Sequence, residues 1–151
     1  MNVNIRPFAL EVLGRLSECF NLVIFTASDR IYADKVMDLL DPENKYFKGR
    51  FYREHCYKNF NSENIKDLRI FEGMDPTSFA IIDNSPISYS YQKENGIPII
   101  PFTNDPKDKE LLKIEQFLKS IIMPANDITK VISKTFKALE YARYDTLKEL
   151  M

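Results

Sequence analysis

Two apolar runs in this chain end on oxygen-bearing side chains, and a lysine stands between them in sequence. Leu22 to Phe25 leads into Thr26-Ala27-Ser28, Phe79 to Ile82 leads into Asp83-Asn84-Ser85, and Lys66 precedes the second run. A hydroxyl, backbone amides and an acid next to an amide can together hold a phosphate with Mg2+, a hard cation that takes oxygen ligands in near-octahedral geometry. Lys66 could balance phosphoryl charge at the same place. Taken singly, each residue has a plainer reading. Thr26 can simply finish a strand, Ser28 can cap a helix, Asp83 to Pro86 can form an Asx turn into a helix, and Lys66 can stay solvated. His55, the sole histidine, belongs to no serine or cysteine triad pattern and reads as a structural or surface residue, and Cys19 and Cys56 read as packing residues.

For these groups to meet, the two apolar runs must be strands of one parallel sheet whose carboxyl ends share an edge, where loops converge and helix N-termini offer free N–H groups. NLVIFT, Asn21 to Thr26, and FAIID, Phe79 to Asp83, are short, apolar and rich in β-branched residues, as buried parallel strands are. Helical spacing surrounds them. Phe8, Val12, Leu13, Leu16 and Cys19 predict a helix over Pro7 to Cys19, with proline acceptable in its first turn. Ser28 or Asp29 can cap a second helix with Ile31, Tyr32, Val36, Leu39 and Leu40 on one face, stopped by Pro42. FKGRFYRE reads as a strand and HCYKNFNSEN as a loop or hairpin. The run IPIIPF reads as a third strand toward a sheet margin, because prolines stand near both its ends. Asp105 to Ile122 and Asp127 to about Met151 predict two further amphipathic helices. The last carries Ile128, Val131, Ile132, Thr135, Leu139 and Ala142 on one face, which would pack on the core or, alternatively, take a partner. Strands alternating with helices predict an α/β fold, and the absence of repeats and linkers predicts a single domain over residues 1–151.

Composition excludes several classes. With 44% hydrophobic and 28% charged residues the chain can bury a core and does not read as disordered. A net charge of −1 leaves no global field to draw it to nucleic acid or an anionic membrane. No apolar run approaches the roughly 20 residues that span a bilayer, and the first residues have no signal-peptide architecture. Two distant cysteines without a CxxC pair give no zinc motif and fit a reducing compartment, so the cytoplasm or nucleus is expected.

Five motifs in fixed order, FTAS, IYADKV, FYREHC, NIKDL and IIDNSP, resemble the small carboxy-terminal-domain phosphatases of the haloacid dehalogenase superfamily. These are the FCP/SCP-type, NLI-interacting factor-like domains, and the likeness is strongest to the Dullard-type nuclear envelope phosphatases. It runs from Arg6 to about Leu118, and more faintly into NDITKVISK. The resemblance implies a three-layer parallel sheet with helices on both faces and a Mg2+-dependent enzyme. Such an enzyme hydrolyses phosphoserine or phosphothreonine in proteins through an aspartyl-phosphate intermediate. By the same resemblance Thr26, followed by Ala27 and Ser28, is the phosphate-binding threonine, and Lys66 bonds the phosphoryl group and the nucleophile. Asn84 matches the metal-binding residue, with Asp83 beside it directly or through water, and Arg53 lies near the substrate groove.

One departure stands out: the family's Asp-x-Asp-x-Thr motif, which supplies the nucleophile and the general acid and base, occurs nowhere in the 151 residues. In that fold its strand lies at the centre, between Leu22 to Thr26 and Phe79 to Asp83. Without it the two strands keep unpaired edges, an aggregation-prone arrangement. We expect that the N-terminal part of the protein is missing and that the chain as written is inactive, with a membrane anchor upstream, and hence a nuclear envelope location, left open. The alternative is a non-catalytic interaction module of the same fold, as in a mitochondrial protein-import receptor. A third reading is a response-regulator-like or nucleotide-binding domain.

Overall fold

The helix predicted over Pro7 to Cys19 forms at Ala9–Ser17 (α1) and buries Ala9, Val12 and Leu16, the residues spaced to share one face. The structure, a computed structural model, describes residues 2–137. Strand β1 (Leu22–Phe25) follows, then helix α2 (Arg30–Leu40). Asp29, not Ser28, caps α2, accepting the Tyr32 N–H at 2.9 Å. Past α2, the buried Asp41 carboxylate accepts the N–H groups of Lys45, Tyr46 and Phe47 and so turns the chain into β2 (Phe47–Phe51). The segment expected to be a loop or hairpin is a hairpin, β3 (Tyr57–Lys58) against β4 (Asn64–Ile65). Strands β5 (Ile81–Asp83) and β6 (Gly96–Pro98) and helix α3 (Glu110–Phe117), extended by a π-helical turn at Leu118–Ile122, complete the named elements.

Several expected elements are shorter than their patterns: β5 takes only the last three residues of FAIID, and β2 ends at Phe51, with Arg53–His55 of the expected strand FKGRFYRE and its continuation forming a 3-10 turn. Strand β6 covers only the first residues of IPIIPF, because Pro98 and Pro101 carry no N–H for a ladder. The helix expected from Asp105 starts at Glu110: Asp105 and Asp108 spend their carboxylates on the nearby N–H groups of Lys107 and Glu110, and Asp108 is also held by Arg6 at 2.8 Å. Residues 128–137 are helical, with Ile128 and Ile132 buried, so this part of the last predicted helix packs on the core. Its remainder, 138–151, lies outside the described residues.

The parallel sheet comes in two halves. β1 pairs with β2, and β5 pairs with β6, both parallel, and β6 lies at a margin as its prolines suggest. Among the described residues, the other edges of β1 and β5 have no strand partner. Both strands nonetheless belong to one body. Leu22 and Ala80 pack on the larger core cluster, built on Val12, Leu16, Ile97, Ile114 and Ile132, while Phe25 and Phe79 pack on the smaller one around Leu68, Ile81 and Tyr89. Mid-strand Val23 and Ile82 remain 40% and 39% exposed, although such residues are covered in a closed α/β sheet. Toward the far end of the core, Arg15 makes a two-point pair with Glu115 on α3 at 2.7 Å, which holds the Glu115 carboxyl down to about 2.

Gly96 opens β6 directly under the Tyr89 ring. A methyl group there would lie 2.1 Å from Cδ2 and 2.8 Å from Cγ of Tyr89, too near the ring's root for the side chain to swing clear. Gly96→Ala is therefore expected to lower unfolding free energy by about 2–3 kcal/mol. A denaturant midpoint unchanged from the parent protein would show that the ring is not confined.

Candidate functional site

Thr26 closes β1, its N–H donating to the Phe51 carbonyl at 2.9 Å and its Oγ1 accepting the Ser28 N–H at 3.1 Å. Accepting that bond leaves the hydroxyl proton of Thr26 free to point outward. The loop 26–28 is gripped from the neighbouring turn Arg53–His55, where Arg53 donates Nε to the Ala27 carbonyl at 2.7 Å and its own N–H to the Ser28 carbonyl at 3.0 Å. Anchoring through Nε keeps the terminal nitrogens of this exposed guanidinium available.

On the other half-sheet, β5 delivers Asp83, buried, to the corresponding end. Its Oδ1 accepts the Ser85 N–H at 2.8 Å, the Asx turn anticipated from the sequence, and its Oδ2 takes the Lys66 ammonium. Both side chains of this ion pair are largely out of solvent, at 12% and 6% exposure, so the pair is held without much screening. The Lys66 N–H donates to the Ser88 carbonyl at 2.7 Å, which ties the lysine to the segment following Asn84.

Cys56 joins the two halves. Its Sγ lies 3.9 Å from the Thr26 carbonyl oxygen, burial pushes its thiol up, and it feels the charges of Lys66, Arg53 and Asp83. Thr26, Ala27, Ser28 and Arg53 thus form one bonded group and Lys66 and Asp83 another, with Cys56 under the influence of charges from both. Asn84 follows Asp83 at the same strand end, exposed and, among the described residues, without a side-chain hydrogen bond. The position of Cys56 was not legible as more than packing, whereas Cys19 is exposed and packs less than expected. His55 is structural as read, its Nδ1 accepting the Tyr52 N–H at 2.9 Å.

The donor set fits Mg2+ only in part. No three His, Cys, Asp or Glu side chains converge among the described residues, and both oxygens of Asp83 are engaged. The oxygen of Asn84 is a suitable ligand, and Mg2+ ordinarily takes a carboxylate as well, for which Asp83 retains one lone pair on each oxygen beyond the bonds from Lys66 and Ser85.

The family model described as NLI interacting factor-like phosphatase matches residues 1–129. The "CTD small phosphatase-like protein 3" of Caenorhabditis elegans is 37% identical over 139 residues, covering 92% of this chain and 48% of that protein. The "CTD nuclear envelope phosphatase 1B" of Danio rerio is 39% identical over 132 residues, covering 87% of this chain and 53% of that protein. The chain thus spans about half the length of these curated relatives. A solved structure titled "The Structure of Fcp1, an essential RNA polymerase II CTD phosphatase" matches 90% of this chain and 37% of that one, with a TM-score of 0.57 and 23% identity, a likeness of fold.

Proposed function

Because the chain belongs to the NLI interacting factor-like phosphatase family, we propose that it carries the phosphate-holding half of a Mg2+-dependent protein serine/threonine phosphatase site. The observation that supports this reading is the buried Lys66–Asp83 ion pair at the carboxyl end of β5, with Thr26 and its hydroxyl at the carboxyl end of β1. The free hydroxyl proton of Thr26 binds one phosphoryl oxygen. Lys66 spends one N–H on Asp83 and turns its others to the phosphoryl group, and the terminal nitrogens of Arg53 face the substrate chain. Fixed donors of this kind stabilise charge as it redistributes on a phosphoryl group and need no reorganisation at that moment. Magnesium, when bound, would neutralise phosphoryl charge, with Asn84 and Asp83 the ligands contributed by these residues.

The attacking carboxylate must come from outside the 151 residues, on a strand seated between the free edges of β1 and β5. Phosphoserine and phosphothreonine proteins are the proposed substrates, and the nuclear envelope is a proposed location in view of the relatives' names. Among the described residues no helix is long and apolar enough to cross a membrane. The competing reading, an interaction module without chemistry, draws on the missing Asp-x-Asp pair and predicts partner binding with no turnover at any length.

Tungstate, a phosphate mimic, tests the proposal on the chain itself. It should shift the amide resonances of residues 26–28 and 84–85, and Thr26→Ala or Lys66→Ala should weaken its binding about 10-fold or more, as losing a hydrogen bond to a charged group does. Shifts elsewhere, or none, would remove the phosphate reading.

A further inference from the structure

Lys66 is followed by a turn that another segment holds at two points. Residues Pro86–Asn95 leave β5 just past Asn84 and form 3-10 turns broken at Tyr89 and Gln92, where the backbone is not helical. At the second break Gln92 swings toward the Lys66 turn. Its Oε1 accepts the Leu68 N–H at 2.9 Å and its Nε2 donates to Asp67 Oδ1 at 2.9 Å. One planar amide thus bonds a backbone donor and a side-chain acceptor on successive residues. Earlier in the same segment, the Ser88 carbonyl takes the Lys66 N–H at 2.7 Å.

We infer that Gln92 is a positioning residue that fixes the Lys66 ammonium against Asp83 and so couples the two contributions to the phosphate site. The inference rests on the reading of Lys66 as a phosphate ligand, but the placement of Lys66 can be measured without it. Three points of attachment, at Lys66, Asp67 and Leu68, leave the Lys66 backbone little freedom. Asp67 is itself constrained, since Arg69 holds its carboxyl down to about 2 and the same carboxylate accepts the Arg69 N–H. An amide is the suitable group here, because it donates to a carboxylate that stays ionised and accepts from a peptide N–H at once. A carboxylate at this position would keep the second bond and turn the first into a repulsion.

That asymmetry gives a signature which simple loosening cannot imitate. Gln92→Ala removes both bonds. Gln92→Glu sets a second carboxylate against Asp67, and protonation of the new acid restores the donor, since Arg69 keeps Asp67 charged. The charged groups facing the position are Asp67 and Arg69 from the turn, with Lys93 and Glu94 exposed on its own segment. The Cε resonance of Lys66 in the 13C-labelled chain, assigned by its loss in Lys66→Arg, reports the ammonium's surroundings.

In Gln92→Ala this resonance should merge with those of the solvated lysines at every pH. In Gln92→Glu it should do so at about pH 8 and return toward the parent position at about pH 5. Tungstate affinity should follow it, falling about 10-fold or more and recovering only in Gln92→Glu at the lower pH. A Lys66 resonance that stays in place in both variants would overturn the clamp, and so would loss in Gln92→Glu without recovery. If Gln92→Ala does not fold, Gln92→Glu compared with itself at the two pH values decides. Absence of tungstate binding by the parent chain would sink the phosphate reading alone and leave the clamp to be judged on the Lys66 resonance.

Discussion

An apolar strand ending in Asp-x-Asp-x-Thr, joined ahead of the first residue by a flexible linker, should turn a chain we expect to be inactive into a Mg2+-dependent phosphatase. The expected gain on a phosphoserine peptide is about 10^4-fold or more, since nucleophile, general acid and a carboxylate for the metal all arrive together. The seat is specific in direction and length. β1 offers four residues and β5 three, each parallel to its own partner, and the added strand is expected to run parallel between them, bond to both free edges and cover Val23 and Ile82. A control strand with Asn-x-Asn in place of Asp-x-Asp should raise the melting temperature as much and give no turnover. Within the active version, Lys66→Ala should cut kcat by about 10^2–10^3-fold, the scale for losing one fixed donor to a developing anion. A strand that stabilises the fold and still yields no hydrolysis would favour the interaction-module reading.

The second large effect concerns stability. Lys66→Met should cost about 3–5 kcal/mol, because it leaves the Asp83 carboxylate buried with only the Ser85 N–H beside it. Asp83→Asn should cost less, since the lysine stem is long enough to carry its charge toward water. The double variant should recover part of the loss, with a coupling of about 1–3 kcal/mol in a denaturant cycle. Simple additivity would mean that the two groups do not depend on one another, and would weaken the case for Lys66 as a held ligand.

Local pattern made some of this legible and long-range pairing hid the rest. NLVIFT and FAIID were recognisable as strands because short β-branched runs have few other uses, and strands form at Leu22–Phe25 and Ile81–Asp83 within them. Thr26, Lys66 and Asp83 could be nominated from their types, but the engagement of Asp83 by Lys66 and Ser85 depends on segments 17 residues apart meeting in space. Gln92 carried no signal at all: its role depends on a backbone break that sequence spacing does not encode. The start of α3 was misplaced because two aspartates inside an apparently helical pattern bond to the local backbone instead, and one of them is claimed by Arg6, 102 residues away. Cys56 shows the same limit, since its place between the half-sheets depends on the course of β2 and the turn behind it.

The long-range bonds made in and just ahead of α1 and α3 also bear on the order in which the protein can form. Arg6 and Arg15 find their partners 102 and 100 residues downstream, and Val12 and Leu16 share a cluster with Ile114, Ile128 and Ile132. A ribosome adding about 5–20 residues per second would release α1 roughly 5–20 s before the helix that covers it. During that interval the apolar face of α1 lacks the later residues that cover it, so it is open to chaperones until residues 114–132 are made.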